Sequence, residues 1–549
     1  MRLEHWKWKK VQPLAGNYID DYEKVRELYT YDPQDIGSWE RRAAELDRRE
    51  GARVDRSALA DALGAYNRRA GAPAAVQSNI ERLRQLDSVV VSGGQQAGLF
   101  TGPLYVIHKA VTVLQAAREA ERRLERPAIP VFWIAGEDHD WDEVNHMYYL
   151  TDAAREPRVD RIRVASSVPL PRTAVSRLPL EAEKWQDALQ RLLSTLPDSK
   201  FKGELNTKLG DLLCTGESLT LPDAFARIMT WLFGHHGLVL LDADDPAIRR
   251  LEAPMFERIV KQNVELNAAI QQDDQTVRQV GYTPQAEVAD DAANLFIFEG
   301  EERVLLRRDG NIFTDKKKAR TYTMDQLVEI ARKSPERLSN NVFTRPLMQD
   351  YLMPVLTTVL GSAEIAYWSL TKSAFALMDM DMPILLPRLE FTIVDGTVDK
   401  YMQKHELTFE DVVYRFADRK SAWLDRQDTV RFHERFAAVR KRIEEEYQEL
   451  IGITTEINNG LRDLGDNNLD KITAQVDYYE RKTEEAFRMK HDVALRQLAR
   501  IENSVIPFAK PQERVHNVFA YLNQFGRGWI DYLVTSALPL DGEHRILYV

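Results

Sequence analysis

The residues best suited to chemistry lie in two polar segments that each follow an apolar run of strand length. The first is a loop over residues 92–102 with four glycines, followed by a helix-like segment. Backbone N–H groups in such a loop, together with a helix N-terminus, can hold a phosphate or a carboxylate. The loop matches neither a Walker A motif nor G-x-G-x-x-G, so a tight turn that needs glycine for its geometry stays an alternative. The candidate binding residues here are Gly94, Gln95, Gln96, Gly98, Thr101 and Gly102.

The second polar segment, residues 137–140, follows the apolar residues 128–135. Its three carboxylates accompany one imidazole, and such a group can bind an amine, accept a proton or hold a divalent cation. Ligands of open α/β sheets bind at the carboxyl ends of the strands. We therefore predict catalytic roles for Asp138, His139 and Asp140, and a binding role for Glu137.

Two further catalytic candidates, His108 and Lys109, lie early in the helix-like segment after the glycine-rich loop. There an imidazole can approach a transferring phosphate, and an ammonium group can offset developing negative charge. The alternative is an ordinary helix surface. Two E-x-x-H motifs, at 143–146 and 513–516, do not suit a di-iron site, because one follows a strand and the other lies beyond a coiled coil. We predict no metal bound by the protein alone, and Mg²⁺ held through nucleotide phosphates is easier to accommodate.

Other polar candidates begin later helix-like segments or follow a strand. Arg345 has a planar guanidinium group that suits a carboxylate. Glu364 and Tyr367 either cap a helix or face a substrate amine, and Arg388 is expected at the same rim as these residues. Cys214 lies among leucines, so we interpret it as a small buried apolar residue.

The elements that must position these residues follow a recurring pattern of apolar strand and amphipathic helix, which is typical of a buried parallel sheet. The predicted strands cover 88–91, 128–135, 237–241 and 382–386, and the predicted helices cover 104–123, 221–233, 347–360 and 364–378. The fold class is therefore α/β, with a doubly wound parallel-sheet core. The core is assigned to residues 87–150, 220–255 and 340–395.

The remaining segments flank or interrupt this core. The sequence predicts a β-hairpin within the second insertion, at 295–308, with Asp309-Gly310 turning into a further strand. The assigned segments are an N-terminal helical segment packing on the core (1–86), a first insertion (151–219), a second insertion (256–339), a coiled-coil domain (396–510) and a C-terminal segment returning to the core (511–549).

The coiled coil is predicted from apolar residues that fall seven apart between 436 and 464. A turn at 465–468 separates this helix from a second one that runs to 505, so the two arms form an antiparallel hairpin. Such a hairpin is either an intramolecular arm or a dimerisation element, and we favour dimerisation.

Composition excludes several classes of protein. The chain has 549 residues, a net charge of −11 and one cysteine, which excludes an intramolecular disulfide and a Cys-based zinc site. The acidic balance argues against a nucleic-acid partner. The polar N-terminus and the lack of an apolar run of about 18 residues argue against a signal peptide and a membrane anchor. We expect a cytoplasmic protein.

Seven motifs, in this order along nearly the whole chain, resemble the BshC family of bacillithiol biosynthesis. Each of the longer motifs is specific enough to make a chance match implausible. The motifs are GQQAGLFTGPLY followed by His108 and Lys109, VFWIAGEDHD followed by E-x-N-H, NVxTRPLMQ, EIAYW, Pro387-Arg388, PQER and a final G-x-H.

The resemblance implies a Rossmann-like core related to class I synthetases and nucleotidylyltransferases, and a coiled coil that makes a homodimer. It also implies a ligase that joins L-cysteine to glucosaminyl-malate through an amide bond, the last step of bacillithiol biosynthesis. Amide formation is uphill in water, so ATP with Mg²⁺ is the expected source of activation. The motifs add four expected binding residues, which are Tyr105, Asn145, Gln349 and Trp368.

On this interpretation, the glycine-rich loop cradles phosphates, and His108 and Lys109 stabilise developing charge. Residues 138–140 orient the glucosamine amine and accept its proton, and Arg345 holds the malyl carboxylates. An alternative from another class is a non-catalytic coiled-coil dimer that only binds a nucleotide or metabolite. A relative that acts on tRNA is disfavoured by the net charge of −11.

Overall fold

The computed structural model describes residues 1–151, 157–165 and 170–549. Fifteen strands are found in these residues. They are β1 (Arg2–Trp6), β2 (Val89–Gln95), β3 (Ala128–Ile134), β4 (His146–Thr151), β5 (Arg158–Arg163), β6 (Val239–Asp242), β7 (Ala292–Glu299), β8 (Glu302–Asp309), β9 (Ile312–Thr314), β10 (Thr321–Thr323), β11 (Leu338–Asn340), β12 (Val355–Leu360), β13 (Ile384–Pro387), β14 (Glu390–Val394) and β15 (His544–Tyr548).

The same described residues form twenty-three α-helices. They are α1 (Pro13–Asp20), α2 (Ile36–Arg48), α3 (Arg56–Arg69), α4 (Ala74–Arg82), α5 (Tyr105–Leu124), α6 (Trp141–Val144), α7 (Ala182–Thr195), α8 (Lys202–Leu213), α9 (Leu221–Phe233), α10 (Pro246–Lys261), α11 (Asn263–Gln279), α12 (Met324–Lys333), α13 (Thr344–Leu352), α14 (Ser362–Trp368), α15 (Lys372–Leu377), α16 (Gly396–Lys404), α17 (Phe409–Tyr414), α18 (Phe416–Gln427), α19 (Phe432–Ile457), α20 (Arg462–Lys490), α21 (Asp492–Val505), α22 (Val518–Phe525) and α23 (Gly528–Thr535).

The central sheet has the strand order β13-β12-β2-β3-β6, and every neighbouring pair is parallel. The chain enters at β2 in the middle, builds outward through β3 to β6, and then returns to add β12 and β13 on the other side. This is the order of a Rossmann-type sheet, whose ligand crevice lies where the direction of winding reverses, here between β2 and β12. The predicted Rossmann-like, doubly wound core is confirmed.

Both faces of this sheet are buried. Alternate residues of β2 pack in opposite directions: Val89 and Val91 belong to one hydrophobic cluster, and Val90 belongs to the other. Leu240 of β6 likewise packs in the first cluster, while Leu241 packs in the second. Continuous apolar strands with helices on both faces are typical of parallel sheets, and this pattern explains why the sequence identified β2, β3 and β6.

The prediction of one helix over 347–360 is wrong. Helix α13 ends at Leu352, and β12 occupies the centre of the sheet beside β2. Pro354 follows the helix and cannot continue its hydrogen bonding, while the run Val-Leu-Thr-Thr-Val-Leu that follows favours a buried strand. The helix predicted over 364–378 is divided into α14 and α15.

The described residues form three further sheets outside the central sheet, and the smallest is the pair β4-β5. The antiparallel sheet β10-β9-β8-β7-β11 contains the predicted hairpin, which is confirmed by the pairing of β7 with β8 and of β8 with β9. The sheet β1-β15-β14 pairs β1 antiparallel with β15, with Arg2 opposite Tyr548. Residues 2–6 are therefore a strand, and the predicted N-terminal helical segment over 1–86 does not begin as a helix.

The chain divides into two compact units. The first contains Met1–Tyr149, Asp160–Ile393 and Gln512–Val549, and the second contains Leu150–Val159 and Val394–Pro511. Every helix among the described residues is too short or too polar to cross a lipid bilayer.

The second unit contains the helical hairpin of α19 and α20. Its turn lies at residues 458–461, so the turn predicted at 465–468 is wrong. The antiparallel pairing is visible in Arg440, which lies 2.6 Å from Glu480, and in the rings of Phe436 and Tyr479, whose centroids are 5.5 Å apart. A Cβ atom on Gly465 would lie 2.5 Å from the Ile451 side chain, so this glycine permits a close approach of the two helices.

Candidate active site

A polar cavity of about 390 Å³ lies at the carboxyl ends of β2 and β12, where the winding of the central sheet reverses. The loop after β2 forms one wall, and the start of α14 after β12 forms another. The lining residues are Gly94, Gln95, Gln96, Tyr105, Lys109, Trp133, Ala135, Asp138, Arg345, Gly361, Ser362, Ala363, Glu364, Tyr367, Arg388 and Arg514.

The glycine-rich loop has a backbone that few side chains would permit. Gly94 lies so close to β3 that a Cβ atom would be 2.4 Å from the Trp133 carbonyl oxygen. Phe100, Thr101 and Gly102 have φ values of 50°, 72° and 68°, in the left-handed region. The side chain of Asn517 donates to the carbonyl oxygens of Phe100 and Gly102, at 2.8 Å and 2.7 Å, and so holds this conformation. Glycine is therefore required for geometry at position 94, and Gly94 also faces the cavity.

Lys109 projects from α5 to the floor of the cavity. Its ammonium group donates to the Gly94 carbonyl oxygen at 2.8 Å, to Oε1 of Gln95 at 3.2 Å and to Oε2 of Glu364 at 2.5 Å. Burial lowers the pKa of Lys109, and the charge of Glu364 opposes part of that effect. The residue is buried, so the interpretation of Lys109 as ordinary helix surface is wrong.

Glu364 performs two tasks at the start of α14. Its Oε2 accepts from the backbone N–H of Gly361 at 2.7 Å, which caps the helix, and it also pairs with Lys109. Tyr367, one turn later, accepts a hydrogen bond from Arg345 at 2.6 Å. Burial lowers the pKa of Arg345, but Tyr367 and Glu364 outweigh that effect and the pKa is raised, so the guanidinium group stays charged in the cavity wall.

Arg388 reaches the cavity from the end of β13. Behind the cavity, its guanidinium group donates two hydrogen bonds to Glu513, at 2.7 Å and 2.6 Å. His108 is also fully buried there, with Nδ1 2.7 Å from Oε2 of Glu513. His108 does not line the cavity, because it lies on a different face of α5 from Lys109.

The carboxylate cluster at residues 137–140 separates in three directions. Asp138 lines the cavity and accepts from Nε2 of Gln96 at 2.6 Å. Glu137 is buried against Arg249, while His139 and Asp140 face a second cavity of about 740 Å³. The structure therefore does not bring the four side chains to one point.

Two arginines surround His139. Arg303 lies 2.9 Å from its Nδ1, and Arg172 lies 2.6 Å from its Nε2. Burial and these two positive charges lower the pKa of the imidazole, although Asp140 and Asp138 oppose the effect. A neutral imidazole is therefore favoured at this position.

The structure brings ten of the predicted site residues to the cavity and places the others behind it or beside it. Gln349, for example, is buried and donates to the hydroxyl groups of Ser92 and Thr358, at 2.7 Å each. Asn145 donates to Asp142 at 3.3 Å, and Trp368 is fully buried. The predicted residues outside the lining of this cavity are Gly98, Thr101, Gly102, His108, Glu137, His139, Asp140, Asn145, Gln349 and Trp368.

Sequence reasoning also missed residues that line the cavity. Trp133 and Ala135 precede the predicted carboxylate cluster, and Arg514 follows Glu513 in the motif PQER. The signal for all three was their place inside motifs already recognised. The others missed are Gly361, Ser362 and Ala363.

The charges of the lining favour an anionic ligand. Lys109, Arg345, Arg388 and Arg514 supply four cationic groups against two carboxylates, Asp138 and Glu364, in a chain of net charge −11. The end of β2 at Gly94 and Gln95, together with Gln96, adds polar groups beside these cations. Phosphate and carboxylate groups are the natural partners of such a lining.

Two clusters among the described residues place three potential metal ligands together, and both lie away from this cavity. One is His235, His236 and Asp531, and the other is His5, Asp541 and Glu543.

Comparisons with known proteins agree with this architecture. Residues 1–389 match the family model described as "Bacillithiol biosynthesis BshC, N-terminal Rossmann-like domain". Residues 391–549 match the model described as "Bacillithiol biosynthesis BshC, C-terminal coiled-coil domain". Together the two models account for nearly the whole chain.

Curated relatives from three bacteria each carry the name "Putative cysteine ligase BshC". The chain is 38% identical over 544 residues to that of Geobacillus kaustophilus, with 98% of each chain covered. It is 37% identical to that of Geobacillus thermodenitrificans, again with 98% of each covered, and 35% identical to that of Symbiobacterium thermophilum, with 97% of each covered. The chain therefore belongs to the BshC family of bacillithiol biosynthesis.

Proposed function

We propose that this member of a ligase family joins the carboxyl group of L-cysteine to the amine of glucosaminyl-malate, with ATP and Mg²⁺ as the source of activation. The observation that carries the proposal is the cationic cavity between β2 and β12, in which Lys109, Arg345 and Arg388 converge. The relatives' names support the cysteine ligation. The product is bacillithiol: one C–N bond forms, one C–O bond of the cysteine carboxyl group and one phosphoanhydride bond of ATP break, and the carboxyl oxygen leaves on the phosphate or on AMP.

The residues of the cavity fit a phosphate-bearing nucleotide. The glycine-rich loop brings the backbone of Gly94 and the side chains of Gln95 and Gln96 to the crevice of a Rossmann-like sheet. ATP supplies the free energy that amide formation requires. Lys109 stabilises negative charge that develops at the transferred group, and its three hydrogen bonds hold the ammonium group in place.

A second part of the proposal concerns the amine. Asp138 is the carboxylate of the predicted cluster that reaches the cavity, where Gln96 orients it. We assign Asp138 to accept the proton that the glucosamine amine loses as the amide forms. Arg345, fixed by Tyr367, is assigned to a malyl carboxylate. His139 and Asp140 face a different cavity and are assigned no step.

The experiment combines purified protein with L-cysteine, glucosaminyl-malate and Mg-ATP, and follows bacillithiol and the nucleotide product by liquid chromatography and mass spectrometry. We expect product only when all components are present. Product without ATP contradicts the role of the nucleotide, and the absence of product with all components contradicts the ligation. Asp138→Asn is expected to lower the rate, with Asp142→Asn, whose exposed side chain lies outside this cavity, as the control.

The competing function is a non-catalytic dimer that binds a nucleotide or a metabolite. The Lys109–Glu364 pair argues against it, because Lys109 is buried and Glu364 is partly buried, and an ion pair withdrawn from water is costly to a protein that gains no catalysis from it. Deletion of the gene distinguishes the two functions. Accumulated glucosaminyl-malate together with lost bacillithiol supports the ligase, whereas an unchanged thiol level supports the non-catalytic function.

We also propose that two copies associate through the hairpin of α19 and α20. An apolar groove of about 460 Å³ lies along these helices and is lined by Phe436, Val439, Ile472, Val476 and Tyr479, among others. Tyr479 is 67% exposed and Leu450 is 52% exposed, although both occupy apolar positions of a helical hairpin. Burial against the same helices of a second copy would remove this apolar surface from water.

A further inference from the structure

Arg388 presents one edge of its guanidinium group to the cavity while another edge is fully occupied. Its two terminal nitrogens donate to the two carboxylate oxygens of Glu513, at 2.7 Å and 2.6 Å, and Nη1 also donates to the Leu389 carbonyl oxygen at 3.1 Å. The Nε–H and the second N–H of Nη2 form the edge that remains, and the nearest oxygen of Glu390 lies 3.7 Å from Nη2. That edge has the fork geometry that suits a carboxylate or a phosphate.

Glu513 is itself held by a dedicated donor. Nδ1 of His108 donates to Oε2 of Glu513 at 2.7 Å, and both side chains are buried. Burial lowers the pKa of His108, although Glu513 opposes that effect, and the contact with a carboxylate oxygen places the donated proton on Nδ1. The other ring nitrogen has no hydrogen-bond partner among the described residues, so the polar contact of His108 is directed at Glu513.

The backbone around Glu513 is fixed on both sides. The side chain of Gln512 accepts from the Ile393 N–H and donates to the Ile393 carbonyl oxygen, at 2.8 Å each. Four residues later, the His516 carbonyl oxygen accepts from the Leu104 N–H at 2.8 Å, next to the glycine-rich loop. The backbone on both sides of Glu513 is therefore held by β14 and by the residue that precedes α5.

We propose that Glu513 is a positioning residue that fixes Arg388 so that its free edge binds an anionic group of a substrate in the cavity. The proposal rests on the proposed function for the existence of that substrate, and the anionic group is a carboxylate or a phosphate. Two oxygens of Glu513 determine the plane of the guanidinium group, and His108 keeps the carboxylate from rotating. Loss of the Glu513 charge leaves Arg388 buried without its counter-ion and free to change direction.

The test titrates the full-length protein with two separate probes, L-malate and ATP, by isothermal calorimetry. Glu513→Gln removes the charge and retains the size. Glu45→Gln is the matched control, because Glu45 also pairs with a buried arginine, Arg42, at 2.6 Å, but away from this cavity. Thermal unfolding of both variants measures the general cost of breaking a buried ion pair.

We expect Glu513→Gln to weaken one probe by roughly tenfold or more, while Glu45→Gln leaves both affinities unchanged. The weakened probe identifies the anion as the carboxylate of malate or the phosphate of ATP. Glu513→Asp, which retains the charge, should recover part of the affinity. Equal affinities in Glu513→Gln and the unsubstituted protein overturn the proposal, as does the failure of the unsubstituted protein to bind either probe at millimolar concentration.

A second pair of variants applies if Glu513→Gln does not fold. His108→Asn keeps an N–H donor near the position of Nδ1, and His108→Leu removes it. We expect the asparagine variant to bind the affected probe more tightly than the leucine variant, and equal binding by the two contradicts the proposal. Because binding is measured without turnover, a failed ligation assay with altered binding would reject the proposed reaction and leave the role of Glu513 supported.

Discussion

Nζ of Lys109 lies 2.5 Å from Oε2 of Glu364, and this ion pair connects the two halves of the central sheet at the point where they divide. Lys109 belongs to the helix after β2, and Glu364 belongs to the helix after β12. The carboxylate of Glu364 also accepts from the Gly361 N–H and so caps α14. One side chain therefore fixes both Lys109 and the start of α14. The walls of the cavity are thus held together by a group that is itself part of the site.

Lys109→Met tests the contribution of this ammonium group. Methionine keeps much of the side-chain volume but removes the charge, so we expect ligation to fall by roughly a hundredfold or more. Product formation under saturating substrates is the measurement. Lys333→Met is the control, because Lys333 pairs with Glu329 at 2.7 Å on an exposed helix surface. Similar rates for Lys109→Met and the control would remove Lys109 from the mechanism.

Gly94→Ala tests the close approach of β2 and β3. The added Cβ would lie 2.4 Å from the Trp133 carbonyl oxygen, so backbone must shift. We expect a loss of unfolding free energy of about 1–3 kcal/mol, measured by chemical denaturation, together with reduced activity. Gly210→Ala is the control, because Gly210 is in α8 and a Cβ there meets no atom within 4 Å. Equal stability of the two variants would contradict the packing argument.

Asp242→Asn tests a buried carboxyl group at the end of β6. Burial raises the pKa of Asp242 to about 8, whereas an unfolded aspartate titrates near pH ~4. Between these values, the folded protein holds a proton that the unfolded chain releases, so the unfolding free energy falls as pH rises and stays low above pH 8.

The asparagine side chain does not titrate, so the variant should lack this part of the decline in unfolding free energy with rising pH. We expect the difference between the two proteins to grow by up to about 1.4 kcal/mol per pH unit across that range, measured by denaturation between pH 5 and pH 9. Glu252, whose pKa burial also raises to about 8, remains in both proteins. Asp198→Asn is the control, because the Asp198 side chain is fully exposed. Parallel pH profiles for Asp242→Asn and the unsubstituted protein would show that Asp242 ionises normally.

Cys214→Ser tests whether the protein uses a thiol of its own. Cys214 follows α8, is partly buried and does not line the cavity. Burial raises the pKa of the thiol, which disfavours the nucleophilic thiolate. We therefore expect the same ligation rate before and after substitution. We also expect that treatment of either protein with a thiol-alkylating reagent leaves its activity unchanged. A marked loss of activity in a variant that unfolds at the same temperature would assign Cys214 a role.

Tyr479→Asp tests the proposed association of two hairpins. A carboxylate in the apolar groove would need desolvation in a dimer, so we expect the variant to sediment as a monomer in analytical ultracentrifugation. Tyr478→Asp is the control, since Tyr478 is the adjacent residue, is 51% exposed and does not line the groove. The same sedimentation coefficient for both variants and the unsubstituted protein would exclude this groove from the interface.

Local patterns in the sequence were enough to predict the elements that carry them. Continuous apolar runs identify β2, β3 and β6, but the prediction that the loop begins at residue 92 is wrong, because β2 continues through Gly93 and Gly94 to Gln95. The prediction of a helix over 347–360 is wrong because its apolar periodicity does not distinguish a short buried strand from a buried helix, although Pro354 and the β-branched run after it favour the strand that pairs with β2. The turn predicted at 465–468 is wrong because these turn-favouring residues lie inside α20, where Gly465 permits contact with α19.

The sequence is enough to predict many residues of the candidate site, but not the direction in which each side chain points. Asp138 and His139 are adjacent, yet they face different cavities. Glu513 is 405 residues from His108 and 125 from Arg388, so no local pattern indicates their contact. Tertiary packing alone determines which polar side chains of a conspicuous motif reach the ligand and which hold their neighbours.

The antiparallel pairing of β1 with β15 places Arg2 opposite Tyr548 in one sheet. During synthesis on the ribosome, β1 emerges long before β15, so this pairing must wait until residues 544–548 have been translated. Glu513 and Asn517, which hold Arg388 and the glycine-rich loop, also emerge long after the residues they hold. A nascent chain that stops before residue 513 thus lacks both the strand that joins β1 to β14 and the groups that order the cavity.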